Sequence, residues 1–100
     1  MAEHSGWTLE GSGGRLVGRT WTGRSAPSHV VLLAHGYGEH VGRYEHVADA
    51  LVANGAAVYG VDHVGHGASE GDRALIEDFE RVVDDLHEVD RRARSEHPGL

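Results

Sequence analysis

The chain is 100 residues long, with 39% hydrophobic and 25% charged residues, the profile of one small globular domain rather than a disordered segment. A net charge of -7 argues against nucleic-acid binding, which needs clustered cations to neutralise phosphates. With no cysteine, disulfide frameworks, thiolate metal sites and cysteine nucleophiles are excluded from this segment. Glu3 and His4 open the chain without a signal-peptide apolar run, and the apolar stretch Val30 to Ala34 is too short to span a bilayer. The expected location is cytoplasmic.

Residues 1–28 read as a hairpin region. Trp7 to Leu9 is one strand, the cluster Gly11-Ser12-Gly13-Gly14 the turn, and Leu16 to Thr22 the second strand. Ala26-Pro27-Ser28 breaks the pattern. Val30-Val31-Leu32-Leu33-Ala34 is a continuous apolar run, as expected of a parallel strand covered on both faces. A helix is predicted from about Arg43 to Asn54, with Tyr44, Val47, Ala48, Leu51 and Val52 on one face and Gly55 ending it. Ala56 to Val61 reads as the next strand, which completes a βαβ unit with parallel strands.

A second helix is predicted from about Asp78 to Ser95, with Phe79, Val82, Val83, Leu86, Val89 and Ala93 as its buried stripe. Asp78, Glu80, Asp84 and Asp85 lie early, and Arg91, Arg92 and Arg94 late, an order that complements the helix dipole. Glu88–Arg92 and Asp90–Arg94 have the favourable i, i+4 order. Pro98-Gly99 stops this helix where an αβ pattern demands another strand. Residues 29–100 thus read as βαβα, part of a single α/β domain.

Two loops carry candidate chemistry. In His35-Gly36-Tyr37-Gly38-Glu39-His40, two glycines flank Tyr37 and permit a backbone that leaves N–H groups free for a developing oxyanion. The same glycines equally suit a sharp strand-to-helix turn. The second loop is Asp62-His63-Val64-Gly65-His66-Gly67-Ala68-Ser69-Glu70-Gly71. Two other readings compete. Gly36-x-Gly38-x-x-x-Gly42 followed by Asp62 approaches a dinucleotide-binding fingerprint, although Val41 occupies the position where strict spacing wants a glycine. His35, His40, His63 and His66 also invite a metal, although zinc needs three or four convergent ligands.

Taken together, the loops resemble those of an α/β-hydrolase family. His35 to His40 is similar to the HG-x-G-E-H oxyanion turn of monoacylglycerol lipases and related lysophospholipase-like, serine aminopeptidase-type hydrolases. Asp62-x-x-Gly65-His66-Gly67-x-Ser69-x-Gly71 is similar to their D-x-x-G-H-G-x-S-x-G loop. The resemblance covers about residues 15–100 and implies an N-terminal portion of that fold. It implies that Tyr37 supplies an oxyanion-hole N–H, with His35, Gly36 and Gly38 shaping the turn. Asp62, Gly65, His66, Gly67, Ser69 and Gly71 would hold the second loop together.

The nucleophile elbow G-x-S-x-G, the remaining triad and a cap domain are expected after Leu100, so no serine or histidine here belongs to the triad. The resemblance further implies a lipid or ester substrate, no cofactor, no metal, and peripheral membrane contact through the cap. It places Val30–Ala34 between the strand ending at Val61 and one following Leu100. Residues 1–100 alone are therefore expected to be inactive and poorly soluble, with an open sheet edge. The alternative is a fragment or interaction module without catalysis.

Overall fold

The computed structural model describes residues 2–100. Four strands form one mixed sheet: β1 (Glu3–Gly11), β2 (Gly14–Thr22), β3 (His29–Ala34) and β4 (Ala56–Val61). Their order across the sheet is β1-β2-β4-β3. A 3₁₀ turn, Val41–Tyr44, leads into α1 (Glu45–Ala53), and α2 (Phe79–Glu96) follows β4 after a long loop. Among the described residues, no helix is long and apolar enough to cross a membrane.

The hairpin is longer than its apolar residues suggest. Gly11 pairs with Gly14, so the turn is only Ser12-Gly13, and β1 extends back to Glu3 opposite Thr22. Cross-strand hydrogen bonding continues in the side chains, with the Trp7 indole donating to Thr20 Oγ1 at 2.9 Å. β2 then pairs antiparallel with β4 from Gly18↔Val61 to Trp21↔Val58. β3 pairs parallel with β4 from His29↔Ala56 to Ala34↔Val61, the parallel pair expected of the βαβ unit.

The central strand is β4, and every one of its residues is buried. Strand periodicity of two splits it between two cores. Ala57, Tyr59 and Val61 pack with Trp7, Leu16 and, from α2, Val89 and Ala93. Ala56 and Val58 pack with Trp21, Val41 and, from α1, Ala48. The two helices therefore cover opposite faces of the sheet, the arrangement that a doubly covered strand requires.

β3 lies at the open sheet edge expected of residues 1–100, but it is not covered on both faces. Its continuous apolar run predicts cover on both faces, yet its burial is only partial and Leu32 is 39% exposed. Val31 and Leu33 pack on the α1 side and Val30 on the α2 side. The cause is position: β3 is an outer strand here, and its far edge pairs with no strand among the described residues.

α2 starts where the sequence indicates, with Asp78 as N-cap accepting from the Glu80 N–H at 3.0 Å. Its buried stripe is Val82, Asp85, Val89 and Ala93, with Leu86 partly buried. Phe79 is not part of it; it stands in the first turn at 68% exposure. Asp85 is the unexpected member. It lies buried and accepts from Ser12 N at 2.9 Å and Ser12 Oγ at 3.1 Å, tying the helix to the hairpin turn. The Asp90–Arg94 pair forms at 3.1 Å, but Glu88 meets Arg91 at 3.0 Å instead of Arg92. Arg92 turns inward, lying 4.6 Å over the Trp7 ring and pairing with Glu96 at 3.5 Å.

Candidate active site

The loops leaving the C-terminal ends of the parallel strands β3 and β4 meet, as sites on open α/β sheets do. In the first loop three backbone amides are pinned. Gly36 N–H donates to Glu39 Oε1 at 3.0 Å, and Glu39 N–H donates back to Gly36 O at 3.1 Å. Gly38 N–H donates to His66 Nε2 at 3.0 Å. The Tyr37 N–H has no acceptor among the described residues. Of the two glycines flanking Tyr37, only Gly38 needs special backbone freedom, with φ at +77°. Gly36 is required for a different reason: a Cβ there would lie 2.9 Å from Glu39 Oε1.

Glu39 braces this turn. Its carboxylate accepts from the Tyr44 hydroxyl as well as from Gly36, and Arg43 lies 3.9 Å away. The Tyr44 bond, and next the Gly36 amide, hold the Glu39 carboxyl below the usual carboxylate range. Its i, i+5 spacing from Tyr44 belongs to no regular helix pattern, so nothing in the sequence marks the pair.

The second loop is built around Asp62, which is buried. Oδ1 accepts from Val41 N at 2.8 Å and Oδ2 from Ala68 N at 3.0 Å. Ser69 bridges this loop to β2: its hydroxyl donates to Asp62 O at 2.6 Å and accepts from Val17 N at 2.8 Å. Gly67 packs so close that a Cβ would lie 2.2 Å from Asp62 Oδ2. Gly65 donates to Glu70 O and accepts from Ala74 N, at 2.9 and 2.8 Å. A Cβ on Gly71 would meet Val64 Cγ2 at 2.8 Å.

Three histidines join the loops. The His35 and His63 rings have centroids 4.1 Å apart, and His66 lies 5.3 Å from His35. His35 Nε2 accepts from the His63 N–H at 2.9 Å, so its proton is on Nδ1, which donates to Gly36 O at 2.7 Å. His63 Nε2–H donates to His35 O at 3.1 Å, and its Nδ1 is buried without a partner among the described residues. His66 likewise carries its proton on Nδ1, donating to Val64 O at 2.9 Å while Nε2 takes the Gly38 amide. Burial pushes the His35 and His63 pKa values below the ordinary histidine value, in keeping with these neutral tautomers.

These bonds decide between the competing readings. A ribose-binding acid must offer free carboxylate oxygens, but both Asp62 oxygens hold backbone amides. The segment after Gly38 is also a 3₁₀ turn with Val41 buried, not the open N-terminus of an α-helix. As for a metal, five of the six ring nitrogens of His35, His63 and His66 bond to the backbone, leaving only His63 Nδ1 among them, and His40 is exposed. Among the described residues, no group of three or more histidine, cysteine, aspartate or glutamate side chains is placed to hold an ion. Beside the first loop opens a cleft of about 670 Å³, lined by Ala34, His35, Tyr37, His63, Phe79 and Leu86 among others.

The family model described as serine aminopeptidase, S33, matches residues 25–100. A monoacylglycerol lipase of Mycolicibacterium smegmatis is 45% identical over 100 residues, covering 99% of this chain and 35% of that protein. Human monoglyceride lipase is 37% identical over 92 residues, covering 92% of this chain and 30% of that protein. The chain therefore spans about a third of the length of these curated relatives.

Among solved structures, a lipase in its open form superposes with a TM-score of 0.86 at 25% identity, covering 98% of this chain and 34% of that one. A thermostable carboxyl esterase from Bacillus coagulans gives the same TM-score at 23% identity, over 100% of this chain and 34% of that one, which speaks for the fold alone. The sheet is that of the N-terminal part of an α/β-hydrolase. With the family model matching most of its length, the chain belongs to the serine aminopeptidase S33 family, in its monoacylglycerol lipase-like group.

Proposed function

We propose that the protein containing these residues is a serine hydrolase of lipid carboxylic esters, acting on a monoacylglycerol or a lysophospholipid, with the Tyr37 N–H in its oxyanion hole. One observation carries the reading. In a turn where the amides of Gly36, Gly38 and Glu39 all have acceptors, the Tyr37 amide has none among the described residues. A donor fixed by its neighbours and left unpaired is what a developing oxyanion needs, since it requires no reorganisation during the reaction.

The chemistry follows from that donor. A serine hydroxyl attacks the ester carbonyl while a histidine takes its proton, and the carbonyl oxygen, now anionic, accepts from the Tyr37 N–H. Collapse expels the alcohol, protonated by the same histidine, and water releases the acid by the same route. Serine, histidine and acid come from outside residues 1–100; Asp62, His66 and Ser69 hold the loop. No cofactor or metal takes part. Residues 1–100 on their own hydrolyse nothing. The protein works in the cytoplasm, reaching lipid through contacts of a cap domain.

The test is turnover by the natural-length protein of a panel of monoacylglycerols, lysophospholipids, peptides and epoxides. The reading predicts ester hydrolysis with preference for a single-chain lipid. Cleavage of peptides or epoxides with inert esters would contradict it.

A further inference from the structure

A backbone amide can be supplied by any residue except proline, so the oxyanion role does not explain why a tyrosine stands at position 37. Its side chain is 71% exposed yet held at two places. The phenol O–H donates to Ala74 O at 2.6 Å, and the ring lies edge-on to His66, centroids 5.4 Å apart at 72°. His66 is the residue whose Nε2 takes the neighbouring Gly38 amide. Tyr37 thus grips the second loop from the flank of the same bond that fixes the turn.

The acceptor is unusual. Ala74 has φ at +59°, the one positive value at a non-glycine position among the described residues. An L-residue enters that region against steric resistance and stays only where its surroundings hold it. Two bonds do so here: Ala74 N–H donates to Gly65 O at 2.8 Å, and Ala74 O accepts the phenol. The flanking residues Asp72, Arg73, Leu75 and Glu77 are exposed, and Leu75 N–H bonds only back to Asp72 O at 3.0 Å. Beyond these the segment has a long Arg73 Nη1 bond to Gly67 O at 3.5 Å and the half-buried Ile76.

We infer that the Tyr37 hydroxyl is a latch: by binding Ala74 O it fixes the Tyr37 peptide and closes segment 72–77 against the first loop. Tyr37 is then a positioning residue through its side chain, distinct from its amide. The functional half of the inference rests on the ester-hydrolase reading; the structural half does not.

Both halves are tested by Tyr37→Phe in the natural-length protein, a change that removes one exposed oxygen and keeps the ring and the amide. Hydrogen exchange at Ala74 and Leu75, whose amides bond to Gly65 O and Asp72 O, is expected to accelerate about three- to tenfold, the range set by one net hydrogen bond. With a soluble ester, kcat is expected to fall by about the same factor while KM stays within about twofold, because the displaced amide serves only the transition state. Unchanged exchange overturns the latch whatever kcat does. Faster exchange with unchanged kcat overturns its positioning role. If the wild-type protein turns over no ester, the hydrolase reading fails and takes the positioning role with it, and exchange alone then judges the latch.

Discussion

The Gly38 amide donates to Nε2 of His66 at 3.0 Å, across 28 residues of sequence, and with the His35–His63 bonds it ties two separate βα loops together. His66 can accept there because its other nitrogen donates to Val64 O, which fixes the tautomer. Replacing His66 with alanine leaves a buried cavity and an unpaired amide. We expect a loss of about 2–4 kcal/mol in urea unfolding of the natural-length protein. A midpoint equal to wild type would mean that the loops hold together without this bond.

Acid should loosen the site before it unfolds the sheet. Burial lowers the pKa of His35 and, with His35 nearby, of His63, both from an ordinary 6.5. The folded state therefore disfavours the proton, and the unfolded chain binds more protons once pH drops to about 6.5. Stability from these groups is complete above that value and is lost as pH falls through the lower folded-state values. Protonation would also remove the lone pair with which His35 Nε2 holds the His63 amide. Glu39, lowered from 4.5, adds a loss in the same direction further down. Thermal melts from pH 8 to 4 should show a plateau above about pH 7 and a decline below about 6.5. A midpoint that rises on acidification would contradict this.

Two glycines separate backbone strain from crowding. Gly67 has φ at +52° and a Cβ there would lie 2.2 Å from Asp62 Oδ2, pushing the carboxylate off the amides of Val41 and Ala68. Gly38 has φ at +77° with open space around it. Gly38→Ala should cost about 1–2 kcal/mol from conformation alone, and Gly67→Ala about 3 kcal/mol or more. Chemical denaturation of both variants checks the order; equal losses would mean that Asp62 is not the centre of the second loop.

Local patterns in the sequence were enough to place the hairpin, β4, Asp78 at the head of α2 and the two chemistry-bearing loops, because turn residues and periodicity are short-range signals. The partial burial of β3 was not legible in its own apolar run, although the family resemblance put that strand at an open edge of residues 1–100. A continuous apolar run reports what a strand is suited to, while its neighbours are set by sheet order. Asp85 reads as a surface charge of the first helical turns, yet it reaches back to Ser12, 73 residues away. The free Tyr37 amide shows only once the amides on either side of it have been assigned, and Glu39 and His66 accept them from positions that no spacing rule connects to it.

The central claim is that Tyr37 serves a serine nucleophile that residues 1–100 do not contain. Labelling the natural-length protein with a fluorophosphonate and locating the modified residue by mass spectrometry tests it most directly. The account predicts one labelled serine outside residues 1–100, with labelling slowed in His66→Ala. Absence of label, or a label on Ser12 or Ser69, would contradict it.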